Sequence, residues 1–196
     1  MFSLFPDSGE LVSRARVLYR DLCPNTAVSL LNRALRMDGE NVEALFLRGC
    51  CYSQMSDYPA ALEDFERCTR LDCAFPEAFL EKGNIHQFMG DREKAVEAYE
   101  RAQAIDPYMT HAVYNLGSMY LEQDDFSSAR DCFLRVAQLR PWDADCLNNL
   151  AVCYASAGEL QTARDILEKA LSVNRYHEDA RVNLSLIEKQ TGPCGR

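Results

Sequence analysis

Alanine recurs every 34 residues along this chain, and no other feature limits its fold so strongly. The column consists of Ala27, Ala61, Ala95, Ala129 and Ala163. A second column of small residues precedes each alanine by twelve positions and consists of Ala15, Gly49, Gly83, Gly117 and Ala151. Two columns with one period indicate a short unit repeated in tandem, and such units bury their apolar faces against their neighbours. Small residues at fixed positions are expected where two helices of a unit cross closely.

Bulky apolar residues keep the same period, four positions after each alanine, at Leu31, Phe65, Tyr99, Phe133 and Leu167. Pro107 and Pro141 lie where a helix of the third and fourth units must end. In its period and columns the sequence resembles the tetratricopeptide repeat (TPR) family over residues 8–190. The resemblance implies two antiparallel helices, here called helix A and helix B, in each repeat. It also implies an all-α fold, a right-handed superhelical solenoid of about eleven helices.

The columns divide the chain into five repeats at 8–41, 42–75, 76–109, 110–143 and 144–177. In each repeat, helix A is predicted over about the first fourteen positions and helix B over about positions 18–31. A capping helix is predicted at 178–190, with a polar outer face that carries Glu178, Arg181, Glu188 and Lys189. A flexible tail is expected at 191–196. Residues 1–7 either cover the open end of the solenoid or form a docking motif for another protein.

The net charge of −9 and the pI of about 4.9 restrict the partners of this chain. An acidic surface disfavours binding to the phosphates of nucleic acids and favours partners that carry Lys or Arg. Apolar runs are too short to span a bilayer, which takes about 18–20 residues, and the N-terminal sequence does not resemble a secretory signal. We therefore expect a cytoplasmic protein without membrane insertion.

The nine cysteines point to packing rather than to disulfides or metal. Their number is odd and they form no CxxC pairs, so neither a disulfide framework nor a zinc site is expected. A buried free cysteine behaves as a small hydrophobic residue, which implies a reducing compartment. Cys194, near the C-terminus, is the expected exposed exception.

The sequence contains no pattern typical of catalysis, and we expect no enzymatic activity, no cofactor and no metal. The three histidines, His86, His111 and His177, lie in different columns of separate repeats. Phosphate-binding loops and nucleophile motifs are missing. Carboxylates such as Asp64 are expected on solvent-exposed faces.

An asparagine column marks the predicted inner groove of the solenoid, where helix A lines a binding surface. Position six of helix A is Asn115, Asn149 and Asn183 in the fourth repeat, the fifth repeat and the capping helix. Side-chain amides donate and accept hydrogen bonds, so such a column could bind the backbone of an extended segment. It resembles the asparagine ladder in the repeat domain of the O-linked N-acetylglucosamine transferase family. Alternatively, the amides only cap backbone groups or hydrate the groove.

The resemblance to that ladder covers three positions, because Leu47 and Glu81 occupy the column upstream. Further polar side chains are predicted to line the groove at Asn84, His111 and Asn148. Apolar ones are predicted at Phe46, Leu80, Phe88 and Tyr114. These apolar residues suit a helix or a hydrophobic anchor of a partner, or else they pack within the solenoid.

The carboxylate clamp of TPR chaperone adaptors is incomplete in this chain. Asn84 and Asn115 match its asparagines, but Leu80, Asp145 and Asn149 occupy its basic positions. Without cations a C-terminal carboxylate gains no charge-assisted hydrogen bonds, and Asp145 would repel it. Binding to the C-termini of large chaperones is therefore not expected.

The sequence thus predicts a non-enzymatic scaffold or adaptor that holds an extended or helical segment of a partner protein in its groove. We expect it to be a subunit of a larger assembly, with a ciliary or cytoskeletal assembly as one possibility. Two alternatives stay open. One is a substrate-recognition arm that acts in trans for an enzyme such as a transferase, and the other is a co-chaperone adaptor without a clamp.

Overall fold

The computed structural model describes residues 6–191, and the regular structure within this range is entirely α-helical. It comprises eleven helices: α1 (Ser8–Arg20), α2 (Pro24–Met37), α3 (Val42–Gln54), α4 (Tyr58–Leu71), α5 (Pro76–Met89), α6 (Arg92–Ile105), α7 (Thr110–Glu122), α8 (Phe126–Leu139), α9 (Ala144–Ser156), α10 (Leu160–Val173) and α11 (Glu178–Thr191). The predicted all-α fold is confirmed. Two compact bodies are present, an N-terminal half that ends at Ile105 and a C-terminal half that begins at Asp106.

Helix pairs build each half. In the N-terminal half α1 packs on α2, α3 on α4 and α5 on α6, and α2 and α4 also pack on the helix that follows them. In the C-terminal half α7 packs on α8, α9 on both α8 and α10, and α11 on α9 and α10. Odd-numbered helices therefore correspond to helix A and even-numbered helices to helix B. Each helix B begins at position 17 of its repeat, one residue before the predicted position.

The turn between helix A and helix B has one conformation in all five repeats. Its position 15 takes a left-handed backbone conformation at Leu22, Ser56, Gly90, Asp124 and Gly158. The next backbone N–H always donates to the carbonyl of position 11, as Asp91 does to His86 at 2.8 Å. These bonds satisfy carbonyls that the end of helix A would otherwise leave unpaired. Glycine adopts this left-handed conformation most easily, but in the first repeat the residue is Leu22, with a φ of 56°.

The small-residue column lies against the bulky apolar column of the same repeat. Gly83 faces the ring of Tyr99 so closely that a Cβ at position 83 would lie 2.5 Å from a ring carbon. A Cβ at Gly49 would lie 2.7 Å from the ring of Phe65, and one at Gly117 would lie 3.0 Å from Cys132 Cβ and 3.1 Å from the ring of Phe133. The first and last repeats carry alanine in this column and leucine in the other. A residue without a Cβ is therefore needed where the opposing side chain is aromatic.

Asp64 was expected on a solvent-exposed face, and this expectation is wrong. The residue is 2% exposed, and its two carboxylate oxygens accept hydrogen bonds from Arg48 at 2.6 and 2.7 Å. A third bond, of 2.6 Å, joins Arg48 to Asn32 Oδ1 on α2. The guanidinium, the carboxylate and the amide thus form hydrogen bonds with one another inside the first two repeats. Burial of the carboxylate is tolerable because its partner binds both of its oxygens.

Most of the described cysteines pack as small hydrophobic residues. Those that are buried are Cys51, Cys68, Cys132, Cys146 and Cys153, while Cys50 is half-buried. Burial raises the pKa of the Cys51 thiol to about 11 and that of Cys68 to about 12, so both stay protonated. Cys23 and Cys73 are exposed, which the sequence did not predict, and Cys194 lies outside the described residues.

Helix α11 differs from the predicted cap on its outer face. Charged residues do lie there, including Glu178, Arg181 and Lys189. Val182 and Leu186 are also on this face and are 58% and 51% exposed. The face is therefore mixed rather than polar.

Candidate functional site

A chain of side-chain hydrogen bonds joins three helices of the C-terminal half. Asn183 on α11 donates to Asn148 Oδ1 on α9 at 2.9 Å. Asn148 donates to its neighbour Asn149 at 3.3 Å, and Asn149 donates to the hydroxyl of Tyr114 on α7 at 3.1 Å. We call these four residues the amide chain. Its members lie at positions five and six of successive A helices, where the sequence placed the groove.

The amide chain fixes its members in orientation without using all of their hydrogen-bonding capacity. Asn148 is buried and serves as the central link, while Asn149, Asn183 and Tyr114 are half-buried. Each amide offers two N–H donors and two acceptor positions, so one bond in each direction leaves capacity on its solvent side. Burial, together with the nearby carboxylate of Asp145, raises the pKa of Tyr114, so its hydroxyl stays protonated. Asn115 is half-buried on α7 as well.

An open cleft of about 270 Å³ adjoins the end of the amide chain, between α9 and α11. Asn183 contributes the amide to its lining, and Gln190 lies at its C-terminal end. Most of the remaining wall is apolar, including Val152, Leu186 and Ile187. The cleft can take an apolar side chain beside an amide that binds a peptide group. Sequence analysis missed Val152 and Leu186, although both continue position nine of helix A.

The apolar candidates of the N-terminal half are placed differently from one another. Phe46 packs among rings of its own core, with centroids 5.7 Å from Phe65 and 4.9 Å from Phe75. Leu80 is half-buried on α5. Phe88 is 72% exposed, and its ring lies 4.9 Å from that of Tyr58. Phe46 therefore has a packing role, whereas Phe88 offers most of its surface to solvent.

Asn84 links two helices of the N-terminal half. Its Oδ1 lies 2.9 Å from the hydroxyl of Tyr99 on α6, and its amide nitrogen lies 3.4 Å from Glu81. Burial raises the pKa of the Glu81 carboxyl, and the hydrogen bond from Asn84 opposes this shift. The half-buried carboxyl of Glu81 thus occupies position six of helix A, which is asparagine in the repeats of the C-terminal half.

His111 lies on the first turn of α7 and is exposed, with its Nε2 3.5 Å from the guanidinium of Arg140. His177 is buried and has a structural role. Its Nδ1 accepts a hydrogen bond of 3.2 Å from the N–H of Ala180, which caps α11, and its Nε2 lies 3.0 Å from Asp145. These two histidines and the buried His86 are not brought together.

No group of three or more potential metal ligands occurs within residues 6–191. None of the helices described in that range is long and apolar enough to cross a membrane.

Comparison with known proteins identifies the repeat and the fold. A tetratricopeptide repeat family model matches residues 108–175, and a second one matches residues 42–72 and 76–108. A comparison with curated proteins gives no significant match.

Solved structures of similar fold include YrrB, a TPR protein with an unusual peptide-binding site, at 22% identity and a TM-score of 0.76, covering 90% of this chain and 91% of YrrB. MamA from Desulfovibrio magneticus RS-1 is similar at 18% identity and a TM-score of 0.75, with 90% and 99% of the two chains covered. PilF from Pseudomonas aeruginosa is similar at 14% identity and a TM-score of 0.73, covering 93% of this chain and 89% of PilF. With the helix pairs, the 34-residue period and the matched repeats in agreement, the chain belongs to the tetratricopeptide repeat family.

Proposed function

We propose that this protein is a non-enzymatic scaffold that binds an extended segment of a partner protein at the amide chain of its C-terminal half. The observation that carries the proposal is the amide chain itself, from Tyr114 to Asn183, beside the cleft between α9 and α11. TPR proteins are in general interaction modules, and the structurally similar YrrB has a peptide-binding site.

The geometry favours recognition of a peptide backbone. Packed helices lie about 8–10 Å apart, and an extended chain rises about 3.3 Å per residue. About three residues of partner therefore pass from one A helix to the next. Because the amides both donate and accept, they can bind peptide groups whatever the side chains are. The apolar cleft then adds selectivity for one bulky side chain, which would pack against Val152 and Leu186.

The test compares a matched set of variants. A peptide selected from a displayed random library is titrated by calorimetry against the wild type, against Asn149→Ala with Asn183→Ala, and against Ala170→Gly. Two lost hydrogen bonds of about 0.5–1.5 kcal/mol each should weaken binding about tenfold. Ala170→Gly is the control, since Ala170 is buried on α10 and the change costs about 1 kcal/mol of helix stability away from the site.

A stability control is needed because the amides also hold helices together. Removal of Asn149 and Asn183 leaves the buried Asn148 without partners, which costs about 1–3 kcal/mol. N-methylation of one peptide amide should weaken binding to the wild type, with less further loss in the double variant. A double variant that binds like the wild type would exclude the amide chain as the site.

We infer further that the protein acts as a subunit of a larger assembly in the cytoplasm, where the buried free thiols would stay reduced. The alternative role is a substrate-recognition arm for an enzyme. Purification of the tagged protein from cells separates the two. One complex of fixed stoichiometry supports the subunit, and many substoichiometric clients support the recognition arm.

A further inference from the structure

One carboxyl on the A helices of the N-terminal half is half-buried and has a free oxygen. It belongs to Glu81, at position six in the middle of α5. Its one hydrogen-bond partner among the described residues is the amide nitrogen of Asn84, at 3.4 Å from a single carboxylate oxygen. Nδ1 of His86 is the one enclosed side-chain polar atom in residues 6–191 that lacks a hydrogen bond, so the second oxygen of Glu81 is open to solvent.

Cations on the neighbouring helices do not neutralise Glu81. Arg48 on α3 binds both oxygens of Asp64, at 2.6 and 2.7 Å. Lys82 follows Glu81 on α5, but its ammonium lies 6.0 Å from the ring centroid of Phe79. Burial raises the pKa of the Glu81 carboxyl, and neither an arginine nor a lysine lowers it. Within the part of the chain that the structure describes, this carboxylate therefore has no cationic partner.

Two neutral groups lie close to Glu81. Burial raises the pKa of the Cys50 thiol on α3, and the negative charge of Glu81 raises it further. Burial, Cys50 and Glu81 together raise the pKa of the Tyr19 hydroxyl on α1. Such electrostatic effects act over short distances, so the three side chains lie near one another where α1 packs on α3 and α3 on α5. Because the thiol and the hydroxyl stay protonated at neutral pH, Glu81 carries the charge of this group alone.

The fold does not require a charge at this position. In the first two repeats Ser13 and Leu47 occupy position six of helix A. The bond of Glu81 to Asn84 joins two residues of the same helix, so it does not hold helices together. A carboxylate that is partly removed from water without a cation costs stability. The charge of Glu81 is therefore explained better by a positively charged ligand than by packing.

We propose that Glu81 binds an arginine side chain of a partner protein. A guanidinium presents parallel N–H donors that match the two oxygens of a carboxylate, whereas a lysine ammonium is a point charge. The flat guanidinium also stacks on aromatic rings, and Tyr19 supplies a half-buried ring near the carboxylate. The aliphatic part of the arginine would pack against Leu80, which is half-buried and precedes Glu81 on α5. The net charge of −9 attracts a basic partner in addition.

The test uses the short capped peptide Ser-Leu-Arg-Leu-Ser and a counterpart in which citrulline replaces arginine. Citrulline keeps the shape of arginine but lacks its charge. NMR titration of the isotope-labelled protein at pH 7 measures both dissociation constants, and the shifts should centre on Glu81 and Asn84. The arginine peptide should bind at least about tenfold more tightly, because its hydrogen bonds to the carboxylate are charge-assisted. Equal affinities, or no binding of the arginine peptide at millimolar concentration, would overturn the proposal.

Two variants separate a local ion pair from the general attraction of an acidic protein for a cation. In Glu81→Gln the preference for arginine over citrulline should disappear. Glu97→Gln is the matched control, since it removes the same charge from an exposed position on α6 and should keep the preference. Glutamine in place of Glu81 removes a half-buried charge, so the melting temperature should be unchanged or higher. A preference for arginine that persists in Glu81→Gln would refute the assignment.

The pH dependence of binding gives a second readout. Because the pKa of the free Glu81 carboxyl is raised by burial, lowering the pH protonates it, whereas a bound arginine keeps it ionised. The affinity for the arginine peptide should therefore fall as the pH drops through this raised pKa, and the affinity for the citrulline peptide should not. Burial lowers the pKa of His86 on the same helix, and Glu81→Gln, which retains His86, measures any contribution from it. An affinity for arginine that does not depend on pH would contradict the proposal.

A second copy of the chain is the competing source of an arginine. Loss of a concentration-dependent dimer in Glu81→Gln, seen by analytical ultracentrifugation, would show that a second copy fills the site and would refute a separate partner. Asn149→Ala with Asn183→Ala should leave binding of the arginine peptide unchanged, because the amide chain lies in the C-terminal half. This proposal and the proposed function can therefore fail independently.

Discussion

The contact between Gly83 and Tyr99 gives the sharpest test of how the repeats pack. In Gly83→Ala the new Cβ would lie 2.5 and 2.6 Å from two ring carbons of Tyr99, whereas carbon atoms in contact lie about 3.5–4.0 Å apart. The ring must therefore move by about 1 Å, or the two helices must separate. The tyrosine hydroxyl lies 2.9 Å from Asn84 and 2.8 Å from Gln87, so movement also weakens these contacts.

The expected magnitude follows from these opposing effects. Overpacking costs about 1–3 kcal/mol, and loss of a hydrogen bond adds about 0.5–1.5 kcal/mol. The higher helix propensity of alanine offsets about 1 kcal/mol of this loss of stability. Gly83→Ala should thus lower the free energy of unfolding by about 1–3 kcal/mol, which corresponds to about 2–4 °C in melting temperature per kcal/mol. Urea denaturation, monitored by circular dichroism, measures this change in the free energy of unfolding.

A double-mutant cycle identifies the cause. Gly83→Ala with Tyr99→Leu recreates the alanine–leucine pair that Ala151 and Leu167 form in the last repeat. The two substitutions should therefore be less destabilising together than the sum of their separate effects, by about 1–3 kcal/mol. Gly39→Ala is the control, since a Cβ there meets only a carbonyl oxygen at 3.6 Å. A neutral Gly83→Ala, or additive effects in the cycle, would refute this account of the packing.

Three further predictions concern the turns, the core histidine and the thiols. Leu22→Gly should raise the free energy of unfolding by about 0.5–1 kcal/mol in urea denaturation, because Leu22 is exposed and holds a left-handed conformation; a loss of stability would contradict this. Burial lowers the pKa of His86, so the unfolded chain binds the proton more tightly and stability should fall as the pH drops below about 6.5. In the His86→Tyr variant the melting temperature should no longer fall with pH in this range. If its dependence on pH is the same as in the wild type, His86 is not the cause. In a Cys194→Ser background Ellman's reagent should label Cys23 and Cys73 rapidly and the other thiols only after denaturation; many fast thiols in the folded chain would argue against the cysteine packing.

The fold was predictable because helix packing repeats with the sequence. The columns of Ala61 and Gly83 mark positions where only small side chains fit, so each repeat adds independent evidence for the same arrangement. The left-handed turn was visible at Gly90 and Gly158, since glycine favours that conformation. It was hidden at Leu22, where the preceding helix imposes the conformation on an unfavourable residue.

The side-chain networks could not be read from the sequence. Arg48 and Asp64 lie on different helices. Arg14 and Lys82 share the column of Arg48, but the column of Asp64 is uncharged in every other repeat, so nothing in the pattern indicated a buried pair. The asparagine column was recognised, but its internal bonding was not. Asn183 does not bond to Asn149, which occupies the same position six in the preceding A helix. It bonds to Asn148 at position five, 35 residues away, so the contact between the two helices is shifted by one residue from the 34-residue repeat.

The amide chain connects the proposed binding site to the stability of the C-terminal end. Among the described helices α11 packs on α9 and α10 alone, whereas α9 also packs on α7 and α8, which lie on its other side. In a repeat array such a terminal helix separates from its neighbours more readily than an inner one. Its separation would break the bond from Asn183 to Asn148 and open the cleft between α9 and α11 at the same time. A segment bound across the amide chain would contact both helices, and binding would therefore stabilise α11 by mass action.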